Sequence, residues 1–254
     1  MVIIASAALC SCSNEETPFS DGENMESIPQ DVLNITYNGK TYYNVLATYD
    51  ENGDFIFHDD ELSKIYESEL KNLEGLSILA IDDNNIEIFN TLEDNLQSNS
   101  IDISLLPTNA NALTRTEVSS EQNFLGVVEI FDDKDFGDRH YPFGILDPLY
   151  PYHMSNLKNY NNFNDKCSSL KLTNYLPNDQ TKILNMGSYT LTYAEATLVF
   201  IGYEDKNYGK KSYVVLANAG EHKELKELKG FNDKMSSFKL MFAISGTYTE
   251  GLKK

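Results

Sequence analysis

The chain has 254 residues, 41% of them hydrophobic, enough for a buried core and too many for a disordered chain. Its formal net charge of −19 counts against nucleic acid and anionic membrane surfaces as partners, since both need clustered Lys and Arg. Three cysteines, at 10, 12 and 167, make neither a disulfide framework nor a structural zinc site.

In chain order, residues 2–9 are apolar and too short to span a bilayer, as in the hydrophobic part of a secretory leader. Leu9-Cys10-Ser11-Cys12 resembles a bacterial lipobox, and Ser13-Asn14-Glu15-Glu16 resembles the acidic export signal of Bacteroidetes surface lipoproteins. That resemblance implies a signal segment over 1–12 and a membrane anchor through acylated Cys12. It also implies a surface-exposed position on the bacterial outer membrane. Residues 13–31 are polar and rich in Pro, Ser and Glu, which predicts a flexible tether.

A small α+β domain is expected over 32–106. Asn38-Gly39 between two β-rich runs predicts a hairpin. Asp50-Glu51-Asn52-Gly53 predicts a turn before a strand at Phe55-Ile56-Phe57. Its glycine falls at position 4 rather than position 6 of an EF-hand loop, so no EF-hand is expected. Asp59 or Asp60 can cap a helix running to about Asn72, with Leu62, Ile65, Tyr66, Leu70 and Leu73 on one face. Strands follow at 76–81 and 86–89. The turn-rich, weakly hydrophobic stretch 107–123 predicts a linker.

The remainder, 124–245, contains an internal repeat. Phe163-Asn164-Asp165-Lys166-Cys167-Ser168-Ser169-Leu170-Lys171-Leu172 returns as Phe231-Asn232-Asp233-Lys234-Met235-Ser236-Ser237-Phe238-Lys239-Leu240. Upstream, Phe131-Asp132-Asp133-Lys134-Asp135-Phe136-Gly137 returns as Tyr203-Glu204-Asp205-Lys206-Asn207-Tyr208-Gly209. The aromatic starts lie 72 residues apart and the Asn-Asp pairs 68 apart, so the two motifs recur as one duplicated unit. Leu157 and Tyr160, and Leu225 and Leu228 in the second copy, have the spacing of a single helical turn before each loop. After each loop a strand alternates, with Leu170 and Leu172, then Phe238, Leu240 and Phe242, facing inward. Cys167 aligns with Met235 and is expected to pack as a small apolar side chain.

The repeat resembles the βγ-crystallin domain family, in which two Greek keys form one sandwich. In that family an aromatic-x4-aromatic-x-Gly hairpin opens each key, and Asn/Asp-Asn/Asp-x-x-Ser/Thr-Ser marks a calcium loop. Both loops here match at every specified position. The hairpins differ, with Asp138 and Lys210 standing where glycine is expected and Gly137 and Gly209 one residue earlier. The fold class implied is mainly β, a C-terminal βγ-crystallin-like Greek-key β-sandwich behind a small α+β domain.

Calcium is a hard cation that takes six to eight oxygen ligands. By the resemblance, Asp165 and Asp233 would give carboxylate oxygens, Ser168 and Ser236 hydroxyls, and Lys166 and Lys234 backbone carbonyls. The motif includes Asn164 and Asn232 as its first positions. Lys134 and Lys206 would add hairpin carbonyls, so that each of two sites draws on both keys. Ser169 and Ser237 would tie loop to hairpin. Few formal charges per ion put the affinity at roughly 10⁻⁶ to 10⁻³ M, the range from sensors to extracellular modules.

The expected function is therefore a calcium-binding extracytoplasmic lipoprotein in which the ion stabilises a structural or adhesive module. The alternative is a carbohydrate- or protein-binding surface module, with Tyr141, Tyr150 and Tyr152 as an aromatic platform. No enzyme is expected, because four scattered histidines and the absence of HExxH or nucleophile-elbow patterns give catalysis no support.

Overall fold

A computed structural model describes residues 30–102, 123–186 and 189–245. The leader, Cys12, nearly all of the tether and residues 103–122 of the linker region lie outside them. Among the described residues no helix is long and apolar enough to cross a membrane.

Strands β1 (Asp31–Tyr37) and β2 (Lys40–Tyr49) are joined by Asn38 and Gly39 at φ of 50° and 74°. This is the pair of left-handed residues that a two-residue hairpin needs. The acidic stretch before β3 (Phe55–Phe57) closes on itself, the Asp50 carboxylate accepting from the amides of Asn52 and Asp54 at 2.9 and 3.0 Å. Asp59 caps α1 (Asp60–Ile65), which runs on as a π-helical turn to Leu70 and buries Leu62, Tyr66 and Leu70. β4 (Ser77–Ala80) and β5 (Asn85–Phe89) follow, close to the strands expected at 76–81 and 86–89. α2 (Leu92–Ser98, capped by Thr91) and β6 (Ile101–Asp102) were not foreseen, since both are too short for a clear period.

The first key contributes β7 (Gly126–Phe131), β8 (His140–Ile145), β9 (Tyr152–Met154) and β10 (Ser169–Asn174). A hairpin, β11 (Ile183–Met186) and β12 (Tyr189–Thr192), occupies the long connection and buries Leu184, Met186 and Leu191. The second key contributes β13 (Ala196–Asp205), β14 (Gly209–Ala217), β15 (His222–Leu225) and β16 (Ser237–Ser245). One sheet has the order β15-β10-β7-β8, and β14-β13-β16-β9 is the matching run of the other. Each key thus lends its short third strand to the other's sheet. The result is a two-key Greek-key sandwich, mainly β, behind an α+β unit.

One expectation is corrected here. A helical turn forms at Leu157–Asn159, but the segment expected to mirror it, Leu225–Leu228, is not helical. Instead β15 runs through Leu225, paired with Leu170. The amide of Leu228 bonds the Ser168 carbonyl as that of Leu157 bonds Ser236, so Leu228 is the true counterpart of Leu157. From Leu157 to Phe163 there are three more residues than from Leu228 to Phe231, and the helical turn takes up that excess.

The α+β unit and the sandwich share a sheet. β4 pairs parallel with β14, and β1 with β5, giving the continuous order β3-β2-β1-β5-β4-β14-β13-β16. Edge strand β14 is thereby covered. The core is continuous too, running from Leu33, Ile35 and Phe55 to Phe200, Phe231 and Phe238. α2 and β6 cover the outer face of the second sheet, burying Val199, Ile201, Val214 and Met241 in a smaller cluster with Leu96 and Ile101. β13 is therefore buried on both faces over its first eight residues, which explains its unbroken apolar run.

Ion pairs fasten the two parts near the loops. Lys229, 7% exposed, lies 2.6 Å from both Asp31 and Glu227. Asp54 accepts from Lys211 at 3.0 Å and from Lys234 at 2.8 Å. Gly230 sits between these pairs at φ of 69°, where an added Cβ would fall 2.2 Å from the Phe55 ring. Only glycine fits both that backbone and that approach.

Candidate metal centre

The two motif loops lie back to back across the approximate two-fold axis. The amide of Asp165 bonds the carbonyl of Met235 and that of Asp233 the carbonyl of Cys167, both at 3.1 Å. The amides of Ser168 and Ser236 bond the carbonyls of Phe131 and Tyr203, both at 2.9 Å, anchoring each loop to its own hairpin. Asp165 and Asp233 have φ of 53° and 54°, a left-handed conformation that Asp tolerates better than most residues. Cys167 and Met235 point the other way, into the core, fully buried; burial pushes the Cys167 thiol pKa up and keeps it an apolar filler.

The side chains cross between loops. Ser168 Oγ donates to Asp233 Oδ1 at 2.8 Å, and Ser236 Oγ donates to Asp165 Oδ1 at 2.8 Å. The aspartate of each motif therefore meets the serine of the other, 65 and 71 residues away in sequence. The following serines reach the hairpins. Ser169 Oγ donates to the Asp133 carbonyl at 2.6 Å and accepts from the Phe136 amide at 3.1 Å. Ser237 repeats this with Asp205 at 2.6 Å and Tyr208 at 3.1 Å.

The hairpins account for their displaced glycines. Asp138 and Lys210, at the expected glycine positions, hold φ of 54° and 61°. Gly137 has φ of −82° and Gly209 is not among the positive-φ residues. Asp135 and Phe136, and Asn207 and Tyr208, are left-handed as well, so each hairpin holds three such residues and none is glycine.

One site brings together Asp165, Ser236, Lys234, Lys206 and Asn164 around an open cleft of about 580 Å³, which Glu204, Asp205 and Asp233 also line. The other centres on Asp233 and Ser168, whose hydroxyl lies 3.5 Å from the Lys166 carbonyl. The Lys134 carbonyl accepts from Gly137 at 3.1 Å within its hairpin, and the Lys134 ammonium pairs with Glu227. Asn164 and Asn232 each donate from the side-chain amide to the carboxylate beside them, orienting it. Asn232 Oδ1 is buried without a hydrogen-bond partner among the described residues.

The donor chemistry fits a hard cation. No group of three or more His, Cys, Asp or Glu that could hold a metal occurs among the described residues. Each pair instead offers one carboxylate and one hydroxyl, with backbone carbonyls nearby and no nitrogen or sulfur ligand. Calcium–oxygen bonds of about 2.4 Å in a pentagonal-bipyramidal shell put neighbouring equatorial oxygens about 2.8 Å apart. The Ser–Asp pairs have that separation. A hydroxyl proton rotates freely, so both oxygens of a pair could face one ion.

Of the three tyrosines expected to form a platform, Tyr150 is exposed and the other two are half-buried. Tyr141 packs edge-on against Tyr160 and Phe163, and Tyr152 stacks on Phe238, leaving Tyr150 as the exposed member.

Strand order and paired loops define a two-key sandwich with two Ser–Asp pairs at the junction of the keys. No protein-family model and no curated protein matches the chain. Among solved structures, one described as "Evolution of the eye lens beta-gamma-crystallin domain fold" is 16% identical, covering 52% of this chain and 98% of its own, with TM-score 0.30. The N-terminal domain of protein S is 14% identical over 47% of this chain and 99% of its own, at 0.29. A βγ-crystallin domain from Flavobacterium johnsoniae is 21% identical over 47% and 97%, at 0.27. At these values the likenesses carry no functional argument.

Proposed function

We propose that the protein is a calcium-binding extracytoplasmic lipoprotein, anchored at Cys12, in which two calcium ions stabilise a βγ-crystallin-type structural or adhesive module. The observation that carries this is the reciprocal crossing of Ser168 to Asp233 and Ser236 to Asp165. An ion held by such a pair draws one oxygen from each loop, so binding ties the keys together and favours the folded chain over the unfolded one. One carboxylate in each Ser–Asp pair gives modest affinity, suited to a calcium-rich exterior rather than a cytosolic switch.

Thermal unfolding of the full chain with calcium and with chelator tests the reading, alongside an Asp165→Ala/Asp233→Ala variant. A midpoint raised by calcium in the wild type and not in the variant supports it. Superimposable wild-type curves reject it. Metabolic labelling with a fatty acid, lost in Cys12→Ser, tests the anchor.

A further inference from the structure

The approximate two-fold symmetry of the loops is broken at Lys234. Lys234 Nζ is held 2.8 Å from Asp54 Oδ1 and 3.3 Å from the Gly230 carbonyl, with its side chain 10% exposed. Its counterpart in the first loop, Lys166, has no ion pair among the described residues. Asp54 is itself fixed: its amide bonds Asp50 Oδ1 at 3.0 Å, and Asp50 lies 3.1 Å from Lys71. The turn of the α+β unit thus grips the second loop, 180 residues away in sequence.

We infer that Asp54 is a positioning residue for the cation site built on Asp165, Ser236 and Lys234, so that the α+β unit sets the affinity of that site more than that of the Ser168–Asp233 site. The inference rests on the calcium reading above. Two physical effects act through the one ion pair. Fixing the Lys234 side chain orients the backbone of a residue that lines the cleft, so the loop loses less entropy when an ion binds. Holding the ammonium against Asp54 also keeps it from swinging towards the Asp165 carboxylate, where it would compete with the ion. Coupling is reciprocal, so calcium at this site also tightens docking of the α+β unit.

Calcium titration calorimetry on the full chain, with one site disabled at a time, tests this. Asp233→Asn leaves the Asp165–Ser236 site, and Asp165→Asn leaves the other. Asp54→Asn should raise the dissociation constant about tenfold in the first background and change it less than about twofold in the second. Asp54→Glu, which keeps the charge, should restore part of the affinity. General destabilisation would weaken both sites alike, so equal shifts in the two backgrounds overturn the inference, as does no shift in either. If Asp54→Asn does not fold, Lys234→Met, which leaves Asp54 paired with Lys211, is read the same way. A chain that binds no calcium in any form overturns the functional reading and this inference together, and that signature is distinct from the others.

Discussion

Ser168 in the first loop donates to Asp233 in the second at 2.8 Å, and the exchange is repeated in reverse by Ser236 and Asp165. Each Ser–Asp pair therefore has one carboxylate of its own, and the two can be substituted one at a time. At free calcium a hundredfold above its dissociation constant, each site should add about 2.7 kcal/mol. That corresponds to a rise of about 5–10 °C in the midpoint of a chain this size. Asp165→Asn and Asp233→Asn should each remove about half of the total shift. A single substitution that abolished the whole shift would contradict two separate sites.

Ser169 and Ser237 act on the fold rather than on the ion, each accepting from one hairpin amide and donating to one hairpin carbonyl. Both side chains are fully buried. Ser169→Ala or Ser237→Ala should cost about 1–3 kcal/mol by urea unfolding, because buried backbone groups lose their partners. The loss should be the same in chelator, which separates these serines from Ser168 and Ser236.

Asp138 and Lys210 hold left-handed backbone at φ of 54° and 61° without glycine. Such a conformation costs a residue with a Cβ about 1–2 kcal/mol, partly offset by the greater unfolded freedom of glycine. Lys210→Gly should therefore raise stability by up to about 1 kcal/mol, and Asp138→Gly by less, because Asp tolerates this conformation better than Lys. Denaturant midpoints that fall in both would reject the strain assignment.

Lys229 sets an alkaline limit. Burial alone would lower its pKa, but its hydrogen bonds to Asp31 and Glu227 outweigh burial and raise it. A cation whose folded pKa is raised contributes stability fully below its unfolded value of about 10.4 and loses it as pH climbs through the folded value. Tyr49 adds to the slope with the same sign, raised by burial and by its bond to Asp31. Unfolding midpoints should fall between about pH 10 and 12. Lys229→Met should be less stable by about 3 kcal/mol at neutral pH. Its alkaline decline should also be shallower, and an unchanged slope would show that other groups set it.

The sequence alone determined what is local or repeated. The Asn38-Gly39 hairpin, the Asp59 cap, the alternating strand after each loop and the duplicated hairpin and loop motifs were all legible. Each depends on neighbouring residues or on a period of two. The candidate ligands were named by resemblance to a family motif, and the structure adds their placement, Asp165 beside Ser236 and Asp233 beside Ser168. Tertiary structure decided which loop meets which. The crossing of Ser168 to Asp233 depends on two keys packing about a shared axis, and no local pattern encodes that. It also decided that Leu225 extends a strand, because β10 offers it a ladder of hydrogen bonds that a lone helical turn cannot match. The joining of β4 to β14 and the grip of Asp54 on Lys234 are of the same kind. Their partners lie 135 and 180 residues apart in sequence, and only the closing of one sheet brings them together.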